Sequence, residues 1–228
     1  MTARCYAYEE VFAEKVRALA ERTRPRDLYD VINLFRNGEF RPAAHAGSAY
    51  AADPDELREE LASLFAGPGG PGPVSTSPRR SDRTLAGIIC PHIDLYRGGA
   101  TYAWAYRRLV EESTADLFVI LGTAHQPMRQ LFSLTRKDFD TPLGVVPTHR
   151  PFLDRLADRL AADSAASGID LYAEQLAHRH EHSIEFQAVF LRFLLGRKRP
   201  FAIVPVLVGS FYPFVQCRSA PDRAPEVQ

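Results

Sequence analysis

The sequence predicts an α/β protein in which a mixed, largely parallel β-sheet is flanked by helices. Short apolar segments without polar alternation, such as "LAGIIC", "ADLFVILG" and "FAIVPVLVG", are typical of strands buried on both faces. Segments with helical spacing of their apolar residues lie between them, as expected where helices connect parallel strands. The length of 228 residues is enough for one large domain or two small ones.

Composition excludes several classes of function. Hydrophobic residues make up 46% of the chain, charged residues 25%, and the formal net charge is zero, so we expect neither a nucleic-acid nor a membrane partner. Cys5, Cys90 and Cys217 are too few and too scattered for a disulfide framework, which favours a reducing, cytoplasmic location. The N-terminus lacks the apolar core of a signal peptide, and no apolar run is long enough to span a bilayer.

The N-terminal elements are helical. Residues 1–40 are predicted to form a separate extension, with one helix from Tyr8 to about Arg22 and a shorter one in "DLYDVINLFRNGEF". A third helix should start after Asp53, a good N-cap followed by Pro54, and end at Gly67. Its inner face should carry Leu57, Leu61 and Leu64, and a Pro/Gly/Ser-rich loop should follow.

Residues 41–216 are predicted to form the α/β domain, and residues 217–228 a disordered tail. "LAGIIC" should be its first strand, ending at Pro91, and "GGATYAWAYRRLVEES" the next helix. After the second strand, "ADLFVILG", the segment "LFSLTRKDFDTPLGVVPTH" indicates a β-excursion that turns at residues 141–144. "PFLDRLADRLAAD" predicts a helix ended by Ser164–Gly168. The histidine-rich "AHRHEHSIEFQAVFLRFLL" predicts a buried helix, and "FAIVPVLVG" predicts the last strand.

Polar residues from three separate segments are predicted to meet at one end of this sheet. His92 and Asp94 follow the first strand, His125 follows the second, and Glu181, His182 and Glu185 open the late helix. Ligands bind outside the carboxyl ends of the strands in open α/β sheets, so these side chains should converge there. We expect His178 and His180, which flank Arg179 on the loop before the helix, to be exposed.

Such a set suits a metal ion. Neutral imidazole is a ligand for iron, copper, zinc and nickel, and a further histidine beside the metal can act as a base or bind substrate. His182 and Glu185 share a helix face, and a polar pair on a buried helix needs partners. Two candidates have simpler explanations: Asp94 as a helix cap and Cys90 as a small buried apolar residue. The signatures of structural zinc, nucleotide-phosphate and esterase sites are absent from the sequence.

Several motifs occur in the order found in the Memo family, whose prokaryotic members are also called the B component of the AmmeMemoRadiSam system. They are "RPAAHAGSAYAADPDELREEL", "GIICPHID", "FVILGTAHQP", "TPLGVVPTH", "EHSIEFQAVFL" and "VPVLVGSF". The resemblance covers about Arg41 to Phe211, and "EHSIEFQ" with the "AGSAYAADPDEL" opening is its most specific part.

The resemblance implies a fold similar to the catalytic subunit of class III extradiol dioxygenases, which are non-haem iron enzymes. It implies a pocket of histidines that holds iron or copper, with His92, His125 and His182 as metal ligands. The same positions suggest an oxidoreductase in which His182 and Glu185 are catalytic. Asp94, Glu181 and Cys90 are further pocket candidates. A radical-SAM protein is a partner implied by the family association alone.

The chain departs from the family pattern in two places. Pro91–Leu95 reads Pro-His-Ile-Asp-Leu where the family has Pro-His-Ala-Gly-Tyr. The family also continues well beyond the strand matching "VPVLVGSF", so we expect a C-terminal truncation that removes the last strands of the sheet. Alternatives therefore stay open: a non-catalytic module binding a ligand or protein, an inactive truncated homologue, or a zinc hydrolase. The sequence does not indicate whether a substrate would be a small molecule or a peptide.

Overall fold

The computed structural model describes residues 8–22, 40–41, 43–74, 85–162, 169–212 and 214. The chain divides into two compact units, Met1–Arg41 and Pro42–Gln228. The first unit contains helix α1, Tyr8–Arg22, as expected, and the short strand β1, Phe40–Arg41. The expected helix in "DLYDVINLFRNGEF" and the expected tail 217–228 lie outside the described residues.

The second unit is an α/β structure, as the sequence predicts. Its helices are α2, Pro54–Ala66; α3, Leu95–Glu112; α4, Arg150–Ala162; and α5, His182–Leu195, which a 3₁₀ helix, Gln175–His180, precedes. Its strands are β2, Leu117–Thr123; β3, Phe132–Leu134; β4, Asp138–Phe139; and β5, Ala202–Val208. No helix among the described residues is long and apolar enough to cross a membrane.

The central sheet is mixed and has the order β2-β5-β3. Strand β5 pairs with β2 in parallel, with Leu117 opposite Ala202, and with β3 in antiparallel, with Leu134 opposite Val206. The expected β-excursion is confirmed. A turn closed by the Gly144 amide and the Thr141 carbonyl brings the chain back against β4.

The first expected strand is not formed. Residues 85–90 have no strand pairing, and an open cleft lies between them and β2. Strand β2 is itself less buried than expected, because Val119 is 53% exposed and Leu121 is 69% exposed. Both segments are apolar, as expected. The described residues, however, do not include neighbours that would cover all of their side chains. Strand β5 behaves as predicted and is buried on both faces.

Helix α2 follows the sequence rules for helix ends. The Asp53 carboxylate accepts hydrogen bonds from the backbone amides of Asp55 and Glu56, and Gly67 caps the C-terminus. Leu57 and Leu61 are fully buried as expected, and Leu64 packs partly buried against the core.

Helices α3 and α5 meet through aromatic side chains. The Phe190 ring lies between those of Tyr102 and Tyr106, at centroid distances of 4.8 and 5.0 Å, and is nearly parallel to both. On the outer side of α3, the Trp104 indole donates a hydrogen bond of 2.8 Å to the Gly69 carbonyl. The ring contacts hold α5 against α3, and the Trp104 hydrogen bond joins α3 to the loop that follows α2.

Candidate metal centre

Three histidines from three segments meet at the carboxyl end of β2. His92 precedes α3, His125 follows β2, and His182 is the first residue of α5. One ring nitrogen of each can be chosen so that all three lie within 4.8 Å of one another. The structure thus brings together the three histidines expected from the sequence.

The rings of the three histidines are packed closely. His125 stacks on His182 with centroids 4.5 Å apart and an interplanar angle of 22°. The His92 centroid lies 5.1 Å from that of His125 and 5.8 Å from that of His182. Three converging imidazoles form a donor set that fits a transition-metal ion.

Glu181 orients this cluster. The His125 ring donates from Nδ1 to the Glu181 carboxylate at 3.0 Å, and the backbone amides of His125 and Ser183 donate to the same carboxylate at 2.8 and 3.1 Å. Because Nδ1 of His125 is engaged in this way, Nε2 is the nitrogen available to a metal. The His125 side chain is 43% exposed, so the ring is accessible from solvent.

The charges of Glu181 and His182 respond to this environment. Burial raises the pKa of Glu181, but the hydrogen bonds from His125 and Ser183 outweigh it, so the pKa lies below its ordinary value. Burial lowers the pKa of His182 and outweighs the attraction of Glu181, so its imidazole favours the neutral form. An ionised carboxylate behind a neutral imidazole is the arrangement that metal-binding histidines commonly have.

The structure places Glu185 in the interior, against the segment that contains His45 and Tyr50. Its carboxylate is fully buried and accepts hydrogen bonds from the Tyr50 hydroxyl at 2.6 Å and from the His45 amide at 2.9 Å. The His45 ring nitrogen Nδ1 lies 3.1 Å from the same carboxylate, and the Ala44 amide adds a fourth contact at 3.2 Å. Glu185 thus holds the loop that carries His45.

His45 is a fourth histidine beside the cluster, and the sequence reasoning did not single it out. Its ring centroid lies 5.6 Å from that of His182. It is 137 positions away in the chain, so local spacing gave no signal of this proximity. A buried carboxylate at Glu185 was the available clue, because such a group requires donors from elsewhere in the chain.

The remaining candidates have structural roles or lie at the border of the site. Asp94 caps α3 and pairs with Arg97, its carboxylate accepting from the Arg97 amide at 3.0 Å and from Nε at 2.7 Å. Cys90 is half-buried in the cleft beside β2, and burial raises its pKa to about 12, so it is a neutral thiol.

The prediction that His178 is exposed is wrong. The 3₁₀ helix turns this residue inwards, where Nε2 lies 3.0 Å from the Ser133 carbonyl oxygen. His180 is exposed as expected.

Residues 41–218 match the family model described as Memo-like protein. The chain belongs to the Memo-like family. Among curated relatives, it is 32% identical to a MEMO1 family protein of Ignicoccus hospitalis over 77% of this chain and 58% of that protein. It is 35% identical to a MEMO1 family protein of Methanopyrus kandleri, over 74% of this chain and 56% of that protein. It is 32% identical to a MEMO1 family protein of Thermotoga neapolitana, over 77% of this chain and 60% of that protein.

This Memo-like chain therefore spans little more than half the length of these relatives. The matched stretch contains all four histidines of the site and both carboxylates that hold them.

Proposed function

We propose that this Memo-like chain binds a redox-active transition-metal ion, iron or copper, through His92, His125 and His182. The observation that carries the proposal is the convergence of three imidazole nitrogens within 4.8 Å of one another. Three neutral nitrogen donors leave further coordination positions open, as catalytic sites require and closed structural sites do not. Imidazole also accepts zinc, so the identity of the metal is decided by measurement.

An oxidoreductase activity of the dioxygenase-like class is the function that we assign to this site. Bound iron or copper would supply one-electron chemistry and the activation of dioxygen. The protein's own side chains position the residues of the site. Glu181 fixes the His125 ring, Glu185 fixes His45, and the half-buried His182 presents a neutral imidazole, the form that can donate its lone pair to a metal ion.

The first test is the metal content of anaerobically purified protein, measured by mass spectrometry. The wild type should carry a stoichiometric amount of iron or copper, and the His92→Ala/His125→Ala double variant should lose it. His180→Ala is the matched control, because His180 is exposed and outside the cluster. Folding of each variant is checked by circular dichroism. Equal metal content in the wild type and the double variant would overturn the assignment of the site.

The second test separates an oxidoreductase from a binding module. The iron- or copper-loaded protein should consume dioxygen in the presence of a reductant, and the double variant should not. A loaded protein that shows no oxygen uptake with either metal would favour a ligand-binding role. Stoichiometric zinc as the native metal would favour the zinc hydrolase, since zinc has no redox chemistry.

A further inference from the structure

The C-terminal end of α5 leads into a basic turn that lines an open cavity of about 430 Å³. Four cationic side chains surround this cavity, namely Arg192, Arg197, Lys198 and Arg199. Part of its wall is apolar, and none of the described residues that line it carries a carboxylate. A cavity of this size admits a small molecule, and a concave surface lined by charges of one sign concentrates ions of the opposite sign.

The charges around this cavity are not compensated by neighbouring carboxylates. None of the four cations forms an ion pair with another described residue. By contrast, Arg58, Arg97 and Arg108 each pair with a carboxylate three or four residues away. Four like charges at the end of one helix repel one another, so an anion in the cavity would relieve that repulsion as well as gain the attraction of each cation.

Hydrogen bonds to the backbone hold the basic groups in position. The Arg199 amide donates to the Leu195 carbonyl at 3.1 Å, which folds the turn onto the end of α5. The Arg199 guanidinium donates to the Ser113 carbonyl at 3.2 Å, and Nε of Arg192 donates to the Leu143 carbonyl at 3.1 Å. Each of these side-chain contacts uses one N–H of a guanidinium that has five, so the remaining N–H groups can bind a ligand.

We propose that this basic cavity binds a small phosphorylated molecule through its phosphate or pyrophosphate group. Guanidinium groups bind phosphate oxygens through pairs of parallel N–H groups, and an ammonium group adds a point charge. A favourable interaction with the helix dipole is a sufficient explanation for Arg192, which lies in the last turn of α5. It does not explain why three further cations from the following turn line the same cavity.

The basic cavity and the histidine cluster lie at opposite ends of the sheet. Phe201, which lines the cavity, directly precedes β5, whereas the histidines meet at the carboxyl end of β2. Strands β2 and β5 are parallel, so the amino end of β5 is remote from the carboxyl end of β2. The proposal therefore concerns a second site and is independent of the proposed metal chemistry.

Inorganic pyrophosphate is the probe, and its binding to the intact chain is measured by isothermal titration calorimetry. The wild type should bind it saturably, and added salt should weaken the binding because salt screens exposed charges. Pyrophosphate should shift the NMR signals of the backbone amides of residues 196–199 most strongly, a measurement that needs no variant. The His92→Ala/His125→Ala variant should bind pyrophosphate as the wild type does, because the histidine cluster is not part of the cavity.

Two charge-matched double variants test the role of the cavity. Arg197→Gln/Lys198→Gln removes two exposed cations from the cavity and should weaken pyrophosphate binding at least about tenfold. Arg155→Gln/Arg159→Gln removes two exposed cations of α4 that lie outside the cavity, and it should bind pyrophosphate within about twofold of the wild type.

Three results would overturn the proposal. The first is the absence of saturation at millimolar pyrophosphate. The second is equal weakening by the two glutamine double variants, which would show that net charge alone governs binding, or loss of binding in the histidine variant, which would assign pyrophosphate to the metal centre. The third is tighter binding of a glutamate-rich peptide than of pyrophosphate, which would assign the surface to an acidic protein partner.

Discussion

At the scale of single residues, Glu181 combines two roles that are usually distributed between different side chains. It is the N-cap of α5, accepting the Ser183 amide, and it is the hydrogen-bond partner of the His125 ring. The end of β2 and the start of α5 are therefore joined by one carboxylate directly behind two candidate ligands.

We expect Glu181→Gln to lower metal affinity by about 10–100-fold, because the amide cannot orient and polarise the His125 ring as the carboxylate does. Metal titration followed by competition with a chelator gives the affinity. Glu174→Gln is the matched control, since Glu174 also binds backbone amides, those of Arg129 and Gln130, but lies outside the cluster. Equal affinities for the two variants would show that Glu181 acts only as a helix cap.

Glu185 should be important for stability as well as for the site. Glu185→Ala removes the carboxylate that accepts from the buried Tyr50 hydroxyl and the His45 amide, so we expect the unfolding free energy to fall by about 2–4 kcal/mol. Tyr50→Phe removes one donor and should cost about 1 kcal/mol. Urea denaturation measures both. A loss in the alanine variant no larger than that in Tyr50→Phe would contradict this role.

Sequence reasoning located His92, His125 and His182 because each follows a predicted strand or opens a predicted helix, and such positions converge in an α/β fold. It could not locate His45, which reaches the site through a loop held by the distant Glu185. It also placed His178 in solvent, because alternation with charged residues suggests exposure and gives no sign of an inward-turning 3₁₀ helix.

At the scale of secondary-structure elements, the position of His182 depends on a close approach between β2 and α5. A Cβ atom added at Gly122 would lie 2.5 Å from Cγ1 of Ile184 and 2.6 Å from Oγ of Ser183. The Ser183 hydroxyl also donates to the Thr123 carbonyl at 2.9 Å. Only glycine lets the start of α5 lie this close to the strand.

We expect Gly122→Ala to reduce unfolding free energy by about 1–3 kcal/mol, because the added methyl group forces the strand and helix apart. It should also weaken metal binding, since Ser183 and Ile184 directly follow His182. Gly87→Ala is the control, because a Cβ there meets nothing within 4 Å. Chemical denaturation and metal titration are measured on both variants. Unchanged metal affinity in a folded Gly122→Ala protein would disprove the link between this contact and the site.

The elements that the sequence predicted well are those whose determinants are local. Asp53 and Gly67 mark both ends of α2, and the turn at residues 141–144 has its own sequence signal. The segment "LAGIIC" was predicted as a strand because apolar composition indicates burial. Strand formation also needs a neighbour with unpaired backbone groups at the right distance, and that information is not local.

At the scale of the whole molecule, the α/β class followed from the order of apolar and amphipathic segments. The uneven burial of the sheet could not be predicted from that order. Strand β5 lies between two neighbours and is covered on both faces, whereas β2 pairs with β5 alone among the described residues and has exposed side chains. Both strands have largely apolar sequences, so their difference depends on the arrangement of neighbouring elements around them.

Trp104, bonded to the Gly69 carbonyl, is the single tryptophan among all 228 residues and lies in the second unit. Its emission therefore reports the unfolding of Pro42–Gln228, the unit that contains it. Far-ultraviolet circular dichroism includes α1, a helix of 15 residues, a length at which helices are marginal in isolation. We expect the dichroism transition in urea to begin before the fluorescence transition. Superimposable curves would instead show that the two units unfold as one cooperative body, so two optical signals from unmodified protein measure their coupling.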